Sequence, residues 1–272
     1  HWGMSSENNN LNSLPFEKEI GFSVRCIKNN KSNEDSVSHD SLAIPYTNNS
    51  PVIDGNIDDI WNMADSHKLE NVLYEDYLSN DNLSGHWKAI WDENHLYVLV
   101  NIIDNQLIND NYELVNAWND DGIEVYIDAK NEDNSSYDYN DYQFSFPIGR
   151  DDFIEHSRGI ENMGGVKVVK NKLDKGYVME MKFSWMVLFT STINKNELQG
   201  KNIGFDVHVN DDDNGEERDH KRSWYTVTDN AFEDPSVFGT VQLAFGSQQQ
   251  NHAPIANAGN DTTIIDTDGD GF

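Results

Sequence analysis

Trp118-Asn119-Asp120-Asp121-Gly122-Ile123-Glu124-Val125-Tyr126-Ile127-Asp128 is a polar, turn-rich approach followed by strict alternation. Successive side chains of an extended chain point to opposite sides, so Ile123, Val125 and Ile127 share one face and Glu124, Tyr126 and Asp128 the other. The same period of two recurs on both sides of this stretch. Trp87, Ala89 and Trp91 form one set, and Leu96, Val98, Val100 and Ile102 another. Downstream come Phe144, Phe146 and Ile148, then Tyr177, Met179, Met181 and Phe183, then Ile203, Phe205, Val207 and Val209, with Thr240–Phe245 as a closing strand. Asn/Asp/Gly turns separate these runs, and only Asp58–Ala64 and Trp185–Leu188 have the makings of a short helical turn. Many short strands with turn signals between them predict an all-β, antiparallel β-sandwich.

The opposite faces of these strands are chemically unusual. Glu124, Tyr126 and Asp128 are matched by Gln143 and Ser145 on one strand and by Asp206, His208 and Asn210 on another. Such a face is either wet or the lining of a shallow polar cleft. The rule that antiparallel sheets expose one side favours the wet reading.

Composition narrows the partners. Apolar residues at 37% and aromatics at 11% supply one good core for a chain of 272 residues. A formal charge of −29 argues against nucleic acid, because phosphate recognition needs a basic face. No apolar run approaches the ~18 residues of a membrane span, and no signal peptide opens the chain, so an export signal is expected upstream. The single cysteine, Cys26, excludes an internal disulfide. Three segments are expected: residues 1–45 as the tail of a preceding module plus linker, 46–246 as the main domain, and 247–272 as a polar linker followed by a truncated extended segment.

Ordered motifs then carry a resemblance. Pro51-Val52-Ile53-Asp54-Gly55-Asn56-Ile57-Asp58-Asp59-Ile60-Trp61 opens the domain, and Trp91-Asp92-Glu93-Asn94-His95-Leu96-Tyr97-Val98 follows, leading to a strand that ends in Asp104. The Trp118–Asp128 stretch is central; Ile203-Gly204-Phe205-Asp206-Val207-His208-Val209-Asn210-Asp211 and Asp234-Pro235-Ser236-Val237-Phe238-Gly239 close the domain. Residues 51–245 thereby resemble the family 9 carbohydrate-binding modules, jelly-roll-like β-sandwich sugar binders appended to xylanases and other secreted polysaccharide-degrading enzymes. Gly21–Lys28, which overlaps the strand-like run Ile20–Ile27, is similar to the last strand of a Fibrobacter succinogenes major paralogous domain, common in secreted Bacteroidetes proteins. Ala253–Asp261 is similar to the start of a polycystic-kidney-disease-type (PKD) repeat. Together these imply a piece of an exported bacterial multi-module protein, secreted or at the cell surface, whose partners are an oligo- or polysaccharide and covalently linked neighbouring modules.

The resemblance also implies a site. Sugars present apolar C–H faces and polar edges, so a site needs flat rings and planar hydrogen-bonding groups. In the family two aromatic rings sandwich a terminal sugar, and these carry over to Trp118 and to Phe232, where the family usually has Trp. Glu124, Gln143, Arg150, Arg218 and Asp229 or Asn230 carry over as the polar set, with the arginines offering rigid forks of donors. Structural Ca²⁺ is implied as well, with Asp104, Asp128 and Asp141 as first candidates and the loop Asp211-Asp212-Asp213-Asn214-Gly215 as a further acidic one. No Gly-x-Ser-x-Gly, His-Glu-x-x-His or phosphate-loop motif is present. The expectation is therefore a non-catalytic sugar-binding module; the competing reading is a calcium-stabilised structural or adhesion spacer without sugar affinity. A binder needs the carried-over residues to converge on one exposed cleft. An enzyme needs two carboxyls facing each other across it at roughly 5–10 Å.

Overall fold

The computed structural model describes residues 2–4, 11–13, 42–75, 83–215 and 217–245. They fall in two units, His1–His39 and Asp40–Phe272. In the first, β1 (Trp2–Met4) pairs antiparallel with β2 (Leu11–Ser13). Ile20–Ile27, Cys26 and Ala253–Asp261 lie outside the described residues.

The second unit begins with β3 (Leu42–Ile44), β4 (His67–Lys68), β5 (Asn71–Glu75), β6 (Leu83–Trp91) and β7 (His95–Asp104). Next come β8 (Gly122–Asp128), β9 (Asp141–Pro147), β10 (Ile154–Glu155), β11 (Ile160–Glu161), β12 (Val166–Lys172) and β13 (Tyr177–Ser184). Two single-turn helices, α1 (Trp185–Leu188) and α2 (Lys195–Leu198), precede β14 (Asn202–Asp211), β15 (His220–Ser223) and β16 (Gly239–Leu243). Among the described residues, a five-stranded sheet runs β12-β13-β7-β6-β4 and a nine-stranded sheet runs β11-β10-β9-β8-β14-β15-β5. The nine-stranded sheet is completed by β16 on β14 and β3 on β16. The long β14 thus carries β16 along its first half and β15 along its second. No helix among the described residues is long and apolar enough to cross a membrane.

The alternating apolar sets meet between the two sheets. Ile123, Val125, Ile127, Phe144, Phe146, Phe205 and Val207 of one sheet pack with Trp87, Trp91, Val98, Val100, Met179, Met181 and Phe183 of the other. Trp224 rests on this core, its ring 4.9 Å from that of Trp87. A smaller cluster covers the outer face of the five-stranded sheet, where Ile53 and Trp61 lie on Ile90, Tyr97, Leu99 and Val178. The fully buried Glu180 carboxylate pins the opening segment there, accepting from Trp61 Nε1 at 2.9 Å, Gly55 N at 2.8 Å and Asp54 N at 3.0 Å. Gly55 sits at φ +86°, which only glycine adopts without cost.

One expectation needs correction. The outer face of the nine-stranded sheet is not wet: Glu124, Tyr126, Asp128, Gln143, Ser145, Asp206, His208 and Asn210 are all buried. Loops cover it, among them the segment in which Ala231 and Phe238 pack on Tyr126. Ahead of residue 46, Leu42–Ile44 pairs in parallel with β16. Three residues are too few for periodicity to register such a strand.

Candidate functional site

The covered polar face opens into one cavity of about 520 Å³, lined by Val115, Trp118, Glu124, Gln143, His156, Arg218, Lys221, Asp229 and Phe232. Strands β8, β9 and β15 supply the floor, and two loops supply the walls. Gly122 lets this happen, since a Cβ there would meet the Phe146 carbonyl oxygen at 2.8 Å and force the two strands apart.

Trp118 is presented by a 3₁₀ turn over Leu114–Asn119. Residues three apart eclipse in such a turn. Leu114 and Ala117 therefore bury together against Ile154, while Val115 and Trp118 face the cavity. Trp118 remains 39% exposed and Phe232 49%. Phe232 follows Ala231, which is fixed by packing on Tyr126 and by the Tyr137 hydroxyl, which donates to the Ala231 carbonyl at 2.7 Å. Each wall is thus a small buried anchor beside a large exposed ring.

The floor is a closed charge network. Lys221 Nζ lies 2.8 Å from Glu124 Oε2 and 2.9 Å from Asp229 Oδ1, and Arg218 pairs with Asp229. Gln143 Nε2 donates to Glu124 Oε1 at 2.8 Å. The Arg218 backbone N–H donates to Asn119 Oδ1 at 2.8 Å, and its guanidinium lies 5.2 Å from the Trp118 ring. Burial pushes the Glu124 carboxyl up, but the Lys221 ammonium and then His208 outweigh it and hold the group well below the usual carboxylate range. Asp229 is likewise lowered, with Lys221 and Arg218 overcoming burial. His156 is lowered by burial, which Glu124 only partly opposes.

Trp118, Glu124, Gln143, Arg218, Asp229 and Phe232 therefore meet in one cavity, as the resemblance implied they would need to. Arg150 does not line it; its guanidinium is taken by Asp152 at 2.7 Å and by the Tyr112 carbonyl at 2.8 Å. Asp229 and Asn230, left open as alternatives, are separated: Asn230 is outside the lining, its carbonyl accepting from Glu233 N and Asp234 N, both at 3.0 Å. Lys221 and His156 were missed. Lys221 was within reach, because it pairs with Asn210 and so continues the polar face of β14 into β15. His156 follows a two-residue strand, which leaves no pattern to read.

The acidic residues gather elsewhere, at the strand ends. Asp104 closes β7, Asp121 precedes β8 and Asp211 closes β14, with one carboxylate oxygen from each within 4.8 Å of the others. Asp104 Oδ2, Asp121 Oδ1 and Asp211 Oδ1 are buried and accept no hydrogen bond. Burial and the neighbouring carboxylates push Asp121 up to about 10 and Asp211 up to about 9. Asp110, Asp120 and Asp212 form an adjacent group. Asp128 and Asp141 belong to neither group. The Asp128 carboxylate closes a turn by accepting from the backbone N–H of Lys130, Asn131 and Glu132 at 2.9, 2.8 and 2.8 Å. Asp141 is its cross-strand partner and accepts from Asp138 N at 2.7 Å; burial, with help from Asp128, raises it to about 6.

A two-sheet sandwich with a ring-walled polar cavity over one outer face has the form of a β-sandwich binding module. Residues 53–245 match the family model described as "Carbohydrate family 9 binding domain-like", and the chain belongs to that family. It is 32% identical over 193 residues to the exoglucanase XynX of Acetivibrio thermocellus and 32% identical over 194 residues to the endo-1,4-beta-xylanase A of Thermotoga neapolitana. Each match covers 71% of this chain but only 16% and 17% of those enzymes, so the shared part is the module alone. The fold is also that of a family 9 carbohydrate-binding module from Caldicellulosiruptor kristjanssonii. Its complexes with cellotriose and with glucose give TM-scores of 0.61 and 0.62 at 24% identity, covering 79% and 77% of this chain and 98% of that one.

Proposed function

We propose that the cavity grips a neutral sugar unit at a chain end, with the Trp118 and Phe232 rings against its C–H faces and the charge network beneath its hydroxyls. The observation that carries this reading is the convergence of two half-exposed rings on a floor of Glu124, Gln143, Lys221, Arg218 and Asp229. A floor whose charges already neutralise one another favours an uncharged ligand, since an anion would have to compete with Glu124 and Asp229 for the two cations. The same network disfavours glycoside cleavage. A general acid must hold its proton near neutral pH, and both carboxyls of the cavity are lowered instead.

The relatives named above are polysaccharide-degrading enzymes of which this chain matches only the module. That supports a role as an attached targeting module of an extracellular enzyme, with the residues ahead of Leu42 belonging to the tail of a preceding domain and 247–272 to a linker into a PKD-type repeat. Ca²⁺ fits the Asp104, Asp121 and Asp211 group, whose buried oxygens without a donor are the hard ligands that ion takes. Bound there, it would hold the approach to β8 and the end of β14 together and let the carboxylates stay ionised.

Calorimetric titration of the chain with cellotriose, and with cellotriose whose reducing end has been reduced, tests the sugar reading. Saturable binding is expected, weaker for the reduced sugar. No heat with either, or with a panel of neutral and charged glycans, would leave a spacer or adhesion module as the function.

A further inference from the structure

We infer that His156 is a ligand-contacting residue that sets the pH range of the cavity: its neutral ring offers a sugar hydroxyl an uncommitted nitrogen, and the sugar is released when that ring takes up a proton. This rests on the sugar-binding reading above. His156 directly follows β10, whose Ile154 and Glu155 pair with Ser145 and Phe144 of β9. One step further along that register His156 stands opposite Gln143, and its backbone N–H donates to the Gln143 carbonyl at 2.7 Å. Residues opposite each other in a ladder share a sheet face, so the imidazole joins the Gln143 amide in the cavity lining. The residues around it hold it there. Ile154 packs with Leu114 and Ala117 under the Trp118 wall. Glu155 accepts from Ser157 N at 3.0 Å and Arg158 N at 3.1 Å, and pairs with the Arg158 guanidinium at 3.2 Å.

The other polar groups of the lining are committed to one another. Glu124 and Asp229 are tied to Lys221 and Arg218, and Gln143 Nε2 donates to Glu124 at 2.8 Å and to the Tyr126 hydroxyl at 3.3 Å. His156 Nε2, by contrast, is shielded from solvent and has no partner among the described residues. A buried nitrogen left without a partner is costly. The outer torsion of a histidine is soft, so a small turn of the ring brings a nitrogen to a ligand hydroxyl. The same surroundings favour the neutral ring. Burial holds the imidazole below its ordinary value; Glu124 of β8 and Glu155 beside it oppose this only in part, and Lys221 of β15 repels a further cation. Arg218 adds another positive charge to the lining, and Asp229 is already paired with both cations. A sugar closing over the ring removes water from it, which costs the charged form more than the neutral one. Affinity should therefore be level at neutral pH and fall on the acid side of the ordinary imidazole value of about 6.5.

The test is calorimetry with cellotriose on the whole chain, on His156→Ala and on His156→Gln, at pH 7 and pH 5. An NMR titration of the His156 ring and a melting curve for each variant accompany it. At pH 7, His156→Ala should lose affinity roughly three- to tenfold, the scale of one hydrogen bond. His156→Gln, whose amide also donates and accepts without charge, should recover most of that loss. Between pH 7 and pH 5 the wild type should weaken as His156 takes up its proton, and His156→Gln should not. Saturating cellotriose should move the ring's titration to lower pH, because the coupling is reciprocal. Affinity of His156→Ala within about twofold of wild type at pH 7, or a ring titration that cellotriose leaves in place, overturns the inference. An equal weakening with acid in His156→Gln overturns it as well, and equal losses in both variants at pH 7 reduce His156 to a packing role. Each of these outcomes leaves the sugar-binding reading standing. A wild type that binds cellotriose at neither pH brings down that reading, and the role of His156 with it.

Discussion

The cavity floor and the strand-end cluster use the same chemical group to opposite ends. Glu124 and Asp229 are carboxylates buried with their cations, Lys221 and Arg218, and both are held below the ordinary carboxylate range. Asp104, Asp121 and Asp211 are carboxylates buried with one another, and Asp121 and Asp211 are driven up to about 10 and about 9. Burial acts on both sets alike; what differs is whether the chain supplies the counter-charge. Where it does, the result is a floor whose buried charges are paired with one another. Where it does not, burial and mutual repulsion favour the protonated forms of Asp121 and Asp211.

The largest effect expected from this contrast is at Lys221. Lys221→Met strands Glu124 in a site where it is only 1% exposed, and the loss of one partner of a buried pair costs about 3–5 kcal/mol. Chemical denaturation measures it, and a loss no larger than that of an exposed lysine would mean the floor is not the closed network described here. Next comes the cation. Chelation should lower stability by ~3 kcal/mol if Ca²⁺ is present at about a hundred times its Kd. Melting curves with and without chelator read this, and Asp121→Asn should abolish the response. An unchanged curve would mean that the cluster stays protonated rather than metal-bound.

Trp118→Ala comes third. It should weaken sugar binding by ~2 kcal/mol, the scale of a buried aromatic anchor, yet leave the melting temperature nearly unchanged because Leu114 and Ala117, not Trp118, anchor its turn. Arg150→Ala in the same titration should leave affinity unaltered, since that side chain is spent on Asp152 and Tyr112. The smallest effect is that of pH. Glu124 and Asp229 have depressed folded values, so their contribution is present above the unfolded carboxylate range and is lost only as pH falls through the lower folded values. Sugar affinity should therefore stay within about twofold from pH 8 to pH 6, well above the ordinary carboxylate values near 4. A titration inside that window would place an unpaired carboxyl or His156 in direct control of the ligand.

How much of this was legible depended on the range over which each signal acts. The strands announced themselves through Ile123, Val125 and Ile127 and their counterparts, because period-two alternation is a local property of the chain. The turns expected at Asp58–Ala64 and Trp185–Leu188 are present as a 3₁₀ turn over Asp59–Met63 and as α1, whereas α2 was not read. The wall residues Trp118 and Phe232 and the floor residues Glu124, Gln143, Arg218 and Asp229 became visible only through the family's motifs. The third floor strand was lost because β15 is four residues long, and with it Lys221, the residue that organises the floor. For Arg150 and Asp128, residue type and position suited the role, and only the fold showed that Asp152 and the backbone N–H groups of 130–132 are their partners.

By itself, then, the sequence determined the all-β sandwich, its inward faces and its membership of a carbohydrate-binding family, since these follow from alternation and ordered motifs along the chain. Only the tertiary structure decided that the polar face is covered rather than wet. It also decided that Lys221 bridges two carboxylates, and that Asp104, Asp121 and Asp211 meet while Asp128 and Asp141 lie outside that group. The reason is physical. Alternation is set by the geometry of one strand, whereas the charge state and availability of a side chain are set by whatever the fold brings within a few ångströms of it.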